Sequence, residues 1–348
     1  MSLRLAINGY GRIGRCVLRA LHESPLRDQL QVVAINEPAD LKSIEHLTKY
    51  DTTHGRFQGE VQQGDGALIV DGRSIDVTHH TDIADLPWAE RDIDVVLECS
   101  GVWDERTDLE GHLAAGAKRV LLSQPGAFEM PAIVYGVNHH LLEQNASIAT
   151  NASCTTNGIV PVIDVLHRAF GIVSGTITTI HSAMNDQPVL DAYHRKDLRK
   201  TRAAGQSIIP VHTGLASGVG RILPELDGRF VARALRVPTP NVSAMQLTVQ
   251  LDKDADTEAL NNVLLEASEQ GPLAGLLGYT EEPLASCDFN HDPRSGVVDA
   301  GQSRVSGQLA TVLVWFDNEW GYANRMLDVV AAWHGLPTSV QPQESKGH

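Results

Sequence analysis

No run of apolar residues approaches the roughly 20 that a membrane-crossing helix needs, which argues against a transmembrane protein. There is no surplus of cations either. Lys and Arg number 28 against 43 Asp and Glu, a net charge of −15, so little is available in bulk to neutralise nucleic-acid phosphates. That acidity reads as a solvated surface, and an anionic substrate then needs basic residues gathered locally against the overall field. The four cysteines, Cys16, Cys99, Cys154 and Cys287, include no CxxC pair. This argues against a disulfide framework or a thiolate zinc site and fits a reducing cytoplasm. Fifteen histidines are present without HExxH spacing. His79-His80 and His139-His140 are adjacent pairs whose rings diverge on any regular element, so no metal site is expected. Internal repeats and low-complexity tracts are also missing. The segment Met1-Ser2-Leu3 runs straight into a strand-like stretch and leaves no room for a signal peptide.

What is present is organised in two halves. A chain of 348 residues exceeds the roughly 100–200 of a typical domain, so two domains are expected. The first half alternates strand and helix: a buried strand at 3–8, a helix at 11–22, a strand at 31–36 and a helix at 40–50 with Leu41, Ile44 and Leu47 at helical spacing. Asp71-Gly72, between ALIV and RSIDV, predicts an inserted hairpin. A strand at 93–100, a helix ending near 116 and a strand at 119–123 complete a pattern that predicts an α/β Rossmann fold, a mostly parallel, doubly wound sheet. After Asn151 the character changes. A helix over 154–170 is followed by long strand-like stretches (TITTIHS, RFVARALRVP, SAMQLTVQLD, TVLVWFD) and a helix from Thr257, as in an α+β domain with a mixed or antiparallel sheet. A last helix runs over 321–333, and the tail 337–348 has no apolar periodicity and is expected to fray.

The chemistry concentrates in three places. Gly9-Tyr10-Gly11-Arg12-Ile13-Gly14 follows a strand and opens a helix, the context in which GxGxxG reads as a dinucleotide loop rather than an ordinary glycine-rich turn. Such a loop lets the backbone approach a pyrophosphate at the helix N-terminus. Glu37, just past the second strand, is placed for a ribose diol and would repel a 2′-phosphate, favouring NAD over NADP; a surface acid at a strand end is the plainer reading. Cys154 lies in Asn151-Ala152-Ser153-Cys154-Thr155-Thr156-Asn157, at the head of an apolar helix. There the positive end of the helix dipole favours thiolate and the N–H groups can hold an oxyanion. The alternative is a small buried hydrophobe. His181 ends a strand and is a candidate base for that thiol, although a strand-end histidine is more often structural or simply exposed.

The ordered motifs NGYGRIGR (8–15), KYDTTHGRF (49–57), NASCTTNG (151–158), IIPVHTG (208–214), RVPTPNVS (236–243) and DNEWGYANR (317–325) resemble the glyceraldehyde-3-phosphate dehydrogenase family over residues 3–334. The resemblance implies a Rossmann domain over 1–152, completed by a C-terminal helix at about 318–335, and a catalytic domain over 153–317. It makes Cys154 the nucleophile and His181 its activator. Gly9, Gly11, Arg12, Ile13 and Gly14 would approach the phosphates of NAD, with Glu37 at its ribose. Ser123 would lie near the nicotinamide, and Asn318 would bond its carboxamide. Ser153, Thr155, Thr213, Gly214 and Arg236 match positions for substrate and incoming phosphate. A homotetramer is implied, with a loop at about 183–205 reaching across an interface.

Departures from the family pattern bear on the substrate. Met184 stands where a threonine hydroxyl is usual, and Lys200 takes a usual basic position, with Arg199 and Arg202 leaving the register open. Lysine keeps the charge and loses the bidentate fork. Together HSAMNDQ, Ser123-Gln124-Pro125-Gly126 and the FNHDP segment are similar to the family branch that oxidises D-erythrose 4-phosphate on the route to pyridoxal 5′-phosphate. That branch implies hydrolysis of a Cys154 acyl-enzyme by water to give 4-phosphoerythronate. The alternatives are a phosphorylating glyceraldehyde-3-phosphate dehydrogenase and a catalytically silent dinucleotide-binding regulator.

Overall fold

The computed structural model describes residues 2–142, 146–195 and 197–340. Contacts divide the chain into two compact units, Met1–Ser153 joined by Ala323–Gln341, and Cys154–Tyr322.

The first unit contains β1 (Leu3–Asn8), α1 (Arg12–Glu23), β2 (Leu30–Asn36), α2 (Leu41–Lys49), the short pair β3 (Tyr50–Asp51) and β4 (Gly55–Arg56), then β5 (Val61–Gln63), β6 (Ala67–Val70), β7 (Arg73–Thr78), β8 (Val95–Glu98), α3 (Arg106–Ala114), β9 (Arg119–Leu122) and β10 (Ile148–Thr150). Its main sheet has the order β10-β9-β8-β1-β2-β7-β6-β5. The pairings from β10 to β7 are parallel, and β6 and β5 add antiparallel edges. The parallel strands are nearly continuous runs of buried Leu, Ile, Val and Ala, as a sheet covered on both faces requires. Strand order reverses beside β1, the topological switch point at which such sheets bind ligands. The antiparallel edge comes from the hairpin read at Asp71-Gly72, whose φ values of 48° and 76° are those of a tight two-residue turn.

In the second unit, α4 (Cys154–Phe170) leads to β11 (Ile172–His181), β12 (Ile209–Val211), α5 (Leu215–Ile222), β13 (Phe230–Arg236), β14 (Ser243–Leu251), α6 (Thr257–Glu269), β15 (Leu277–Thr280), β16 (Gly296–Ser306) and β17 (Leu309–Phe316). These strands form a mixed sheet in the order β12-β13-β11-β14-β17-β16-β15. β11 and β13 run parallel, so their C-terminal residues, His181 and Arg236, pair in register at one edge. β16 was not anticipated: after the buried run at 296–300 its register shifts between Asp299 and Arg304, which breaks the alternation a strand normally shows.

The last helix, α7 (Trp320–Trp333), belongs to the first unit from Ala323 onward. Arg119 donates to the Trp333 carbonyl (2.7 Å) and lies over its ring. The buried pair Arg325–Asp328 (2.6 Å) also receives the backbone N–H and hydroxyl of Ser339, at 2.9 and 2.6 Å. Tyr135 meets the Thr338 hydroxyl at 2.8 Å. Within the segment expected to fray from residue 337, side chains of the first unit hold Thr338 and Ser339; 341–348 lie outside the described residues.

Candidate active site

In the first unit the loop after β1 lines a groove of about 380 Å³ with Asn8, Gly9, Gly11, Asn36, Glu37, His80, Asp82, Ser100 and Trp103. Gly9 has φ +86°, and a Cβ there would fall 2.3 Å from the Ser100 Cα, so the ends of β1 and β8 touch through backbone. Gly14, in the first turns of α1, packs under the Gly9 carbonyl, where a Cβ would sit 2.3 Å from that oxygen. At Gly11 nothing lies within 4 Å of the same position, leaving the backbone open to the groove beside the N-terminus of α1 and Ile13. Glu37 accepts the Tyr10 backbone N–H (2.8 Å), so the predicted ribose acid is attached directly to the glycine loop. Two acids and no Lys or Arg line the groove among the described residues, which suits a diol and disfavours a 2′-phosphate. Open glycine backbone, a helix N-terminus and a carboxylate together fit NAD.

Arg12 is not free beside this loop. It forms a two-pronged ion pair with Asp51, one contact at 3.3 Å and a closer one from Nη1 to Oδ2. Burial works against the Asp51 carboxylate, but Arg12 and the backbone N–H groups of His54 and Thr53 outweigh it and pull its pKa down to about 2. Nothing in the sequence reading singled out Asp51, although it sits inside KYDTTHG. A second unpredicted network supports the groove from below. The fully buried Glu98 accepts from Asn8 (2.5 Å), from the Ser100 backbone N–H (2.8 Å) and hydroxyl, and pairs with His112 (2.9 Å), which takes the Trp88 indole N–H (3.0 Å). Ser123 follows β9 directly, with its N–H on the Glu98 carbonyl (2.9 Å). It also bonds the Cys99 thiol, which burial and then the Glu98 charge push well above the usual cysteine range.

In the second unit, Cys154 is the first residue of α4, and its Sγ lies 4.0 Å from His181 Nε2. The structure thus brings together two residues that the sequence separates by 27 positions. His181 is buried, with the Phe316 ring edge-on to it. Its Nδ1 is 2.9 Å from the Ser182 carbonyl and 2.5 Å from Arg236 Nη1. The two contacts make opposite demands on Nδ1: protonated, it donates to the Ser182 carbonyl and leaves Nε2 with a lone pair toward sulfur, whereas the donor-only Arg236 guanidinium asks it to accept; base chemistry at Nε2 uses the first arrangement. Burial, then the neighbouring guanidinium, lowers the His181 pKa to about 4. Burial likewise pushes the Cys154 thiol up to about 11, against the pull of Arg236 and the N–H groups of Thr155 and Cys154 itself. The helix terminus acts in the expected direction, toward thiolate, and desolvation outweighs it. Both shifts favour the uncharged forms, so the thiol depends on a base to ionise.

Other predicted residues surround this pair to different degrees. Ser153 and Thr155 flank Cys154. Thr213 and Gly214 head α5, with the Thr213 hydroxyl accepting from Leu215 N–H (3.2 Å). α5 packs on the first turn of α4, where a Cβ at Gly218 would stand 3.1 Å from the Thr156 hydroxyl. Of the cations at 199–202, Lys200 is the one that reaches Asp186 (2.5 Å), whose charge is felt by both His181 and Arg236; Arg202 pairs with Asp191 (3.0 Å). Asp186 was missed by the sequence reading. Met184, in the same loop, is exposed. Asn318 is buried, with its Oδ1 accepting the hydroxyls of Ser182 (2.9 Å) and Ser243 (3.1 Å).

No helix among the described residues is long and apolar enough to cross a membrane. Residues 3–106 match the NAD binding domain of glyceraldehyde 3-phosphate dehydrogenase, and residues 153–318 match its C-terminal domain. The first match holds the glycine loop and Glu37; the second begins one residue before Cys154 and ends on Asn318. The chain belongs to the glyceraldehyde-3-phosphate dehydrogenase family and is an NAD-dependent oxidoreductase.

Proposed function

We propose that the protein is a D-erythrose-4-phosphate dehydrogenase, which oxidises its aldehyde through a thioester on Cys154 and releases 4-phosphoerythronate by hydrolysis. The observation that carries the covalent route is the contact of Cys154 Sγ with His181 Nε2 at 4.0 Å. His181 Nε2 takes the thiol proton as sulfur attacks the aldehyde carbon, then returns it to the new alkoxide. The N–H groups at the head of α4 would donate to the oxygen that carries charge in this step. The glycine loop and Glu37 would hold NAD⁺, which would supply a hydride acceptor for the thiohemiacetal carbon. His181 takes the hydroxyl proton as hydride leaves that carbon and passes it to solvent, so that a thioester remains on Cys154 and Nε2 is free again. Water then attacks, His181 again removing a proton, and the thiol departs with it.

Water is favoured over phosphate as acceptor because the anion-binding set is thinned. Met184 offers no hydroxyl, and the Lys200 ammonium is engaged by Asp186. Ser153, Thr155, Thr213, Gly214 and Arg236 serve the substrate phosphate in this reading. Their presence also favours the second reading, a phosphorylating glyceraldehyde-3-phosphate dehydrogenase, in which the same groups admit inorganic phosphate. Turnover in heavy-oxygen water separates the two. Hydrolysis places one solvent oxygen in the product carboxylate, whereas an acyl phosphate formed without that label refutes it. A cytoplasmic homotetramer in pyridoxal 5′-phosphate synthesis completes the proposal. The assembly is supported by exposed Val189, Leu190, Tyr193 and Leu198 on the 183–205 loop.

A further inference from the structure

Asn318 lies between β17 and α7, and its side-chain amide is held from one side only. Its Oδ1 accepts the Ser182 hydroxyl at 2.9 Å and the Ser243 hydroxyl at 3.1 Å. Ser243 Oγ in turn accepts the Ser182 backbone N–H at 3.0 Å, and the two serine oxygens are 3.5 Å apart. Both serines are fully buried or nearly so. Every hydrogen in this set has an acceptor only while Oδ1 faces the serines. With the amide turned over, Nδ2 would donate into the serine oxygens. One serine hydroxyl could then donate to the other, and the last hydroxyl hydrogen would have no acceptor among the described residues. Burying such an orphan corresponds to roughly a tenfold to hundredfold preference for the observed orientation. Asn318 Nδ2 has no partner among the described residues.

We infer that Ser182 and Ser243 are positioning residues that fix the Asn318 amide as a hydrogen-bond donor, selecting a carbonyl oxygen as its ligand. This rests on the reading of Asn318 as the group that bonds the nicotinamide carboxamide. Ser182 also gives its carbonyl to His181 Nδ1 (2.9 Å), so consecutive residues orient the base and the amide donor. Ser243 opens β14, directly across the sheet from Phe316, and this pairing brings it to residue 318.

The test measures calorimetric affinity for NAD⁺ and for ADP-ribose, which lacks the nicotinamide ring. Wild type, Ser182→Ala, Ser243→Ala, the double variant and Asn318→Ala are compared. The double variant is expected to lose about tenfold in NAD⁺ affinity, with each single variant losing about threefold and ADP-ribose binding unchanged. Asn318→Ala is expected to match the double variant. Retained NAD⁺ preference in the serine variants, with loss in Asn318→Ala, overturns the inference and leaves the reading of Asn318 standing. Retention in Asn318→Ala as well overturns both. Parallel loss of both ligands shows a packing role and also overturns the inference. If the double variant does not fold, the two single variants decide the matter by the same criterion.

Discussion

The groove of the first unit and the Cys154 centre of the second solve opposite problems. In the groove, polar groups are satisfied by one another before any ligand arrives. Glu98 has four donors, Glu37 holds the Tyr10 N–H, and Arg12 is paired with Asp51. At Cys154 the groups oppose each other. A thiol is held near pKa 11, an imidazole near 4, and a guanidinium lies against that imidazole. A site that binds a constant cofactor is built with its hydrogen bonds closed. A site that must form and break a bond to sulfur keeps its nucleophile uncharged until a base takes the proton.

The largest expected effects break the second half of this contrast. Cys154→Ser should lower aldehyde-dependent NADH formation by roughly a thousandfold or more, and His181→Asn by roughly a hundredfold to ten-thousandfold, while NAD⁺ affinity stays within about twofold of wild type. Stopped-flow turnover and calorimetry read the two quantities separately; undiminished turnover in Cys154→Ser would end the covalent account. The pH profile carries the sign. A thiol raised above the ordinary cysteine value gives iodoacetamide alkylation that climbs through pH 8–10 without levelling near neutrality. His181, lowered to about 4, stays unprotonated through pH 6, so its protonation limits turnover only below about pH 5.

Smaller effects sharpen the first half. Glu37→Gln removes the charge that repels a 2′-phosphate and should narrow the preference for NAD⁺ over NADP⁺ by about tenfold in kcat/KM. An unchanged ratio would assign discrimination elsewhere, with Asp82 the remaining acid of the groove. Asp51→Asn should weaken NAD⁺ binding by about threefold through a loosened Arg12. Asp51 is lowered in the folded state, so its stabilisation is complete above its unfolded pKa and is lost as pH falls toward 2. The variant should therefore lack that part of the acid-side loss of thermal stability.

Local features were the ones legible in the sequence. Asp71-Gly72 specifies its turn through two residues, and the glycine loop announces itself by following a strand and opening a helix. The parallel sheet follows from alternating buried strands and helices. β16 was not legible, because a register shift at Asp299–Arg304 interrupts its alternation. Nor were Asp186, Asp51 and Ser243, each a polar residue of ordinary type whose partner is distant or set by a loop. Ser243 meets Ser182 across 61 positions, through strand pairing alone. Of the Cys154 electrostatics only one part was legible: the helix terminus is a sequence-local effect, whereas desolvation comes from tertiary packing.

The measurement closest to the central claim is NAD⁺ reduction with D-erythrose 4-phosphate and with glyceraldehyde 3-phosphate, each with and without inorganic phosphate. The account predicts higher kcat/KM for the four-carbon substrate and a rate that phosphate leaves unchanged. Strict dependence on phosphate with a clear preference for the triose would contradict it.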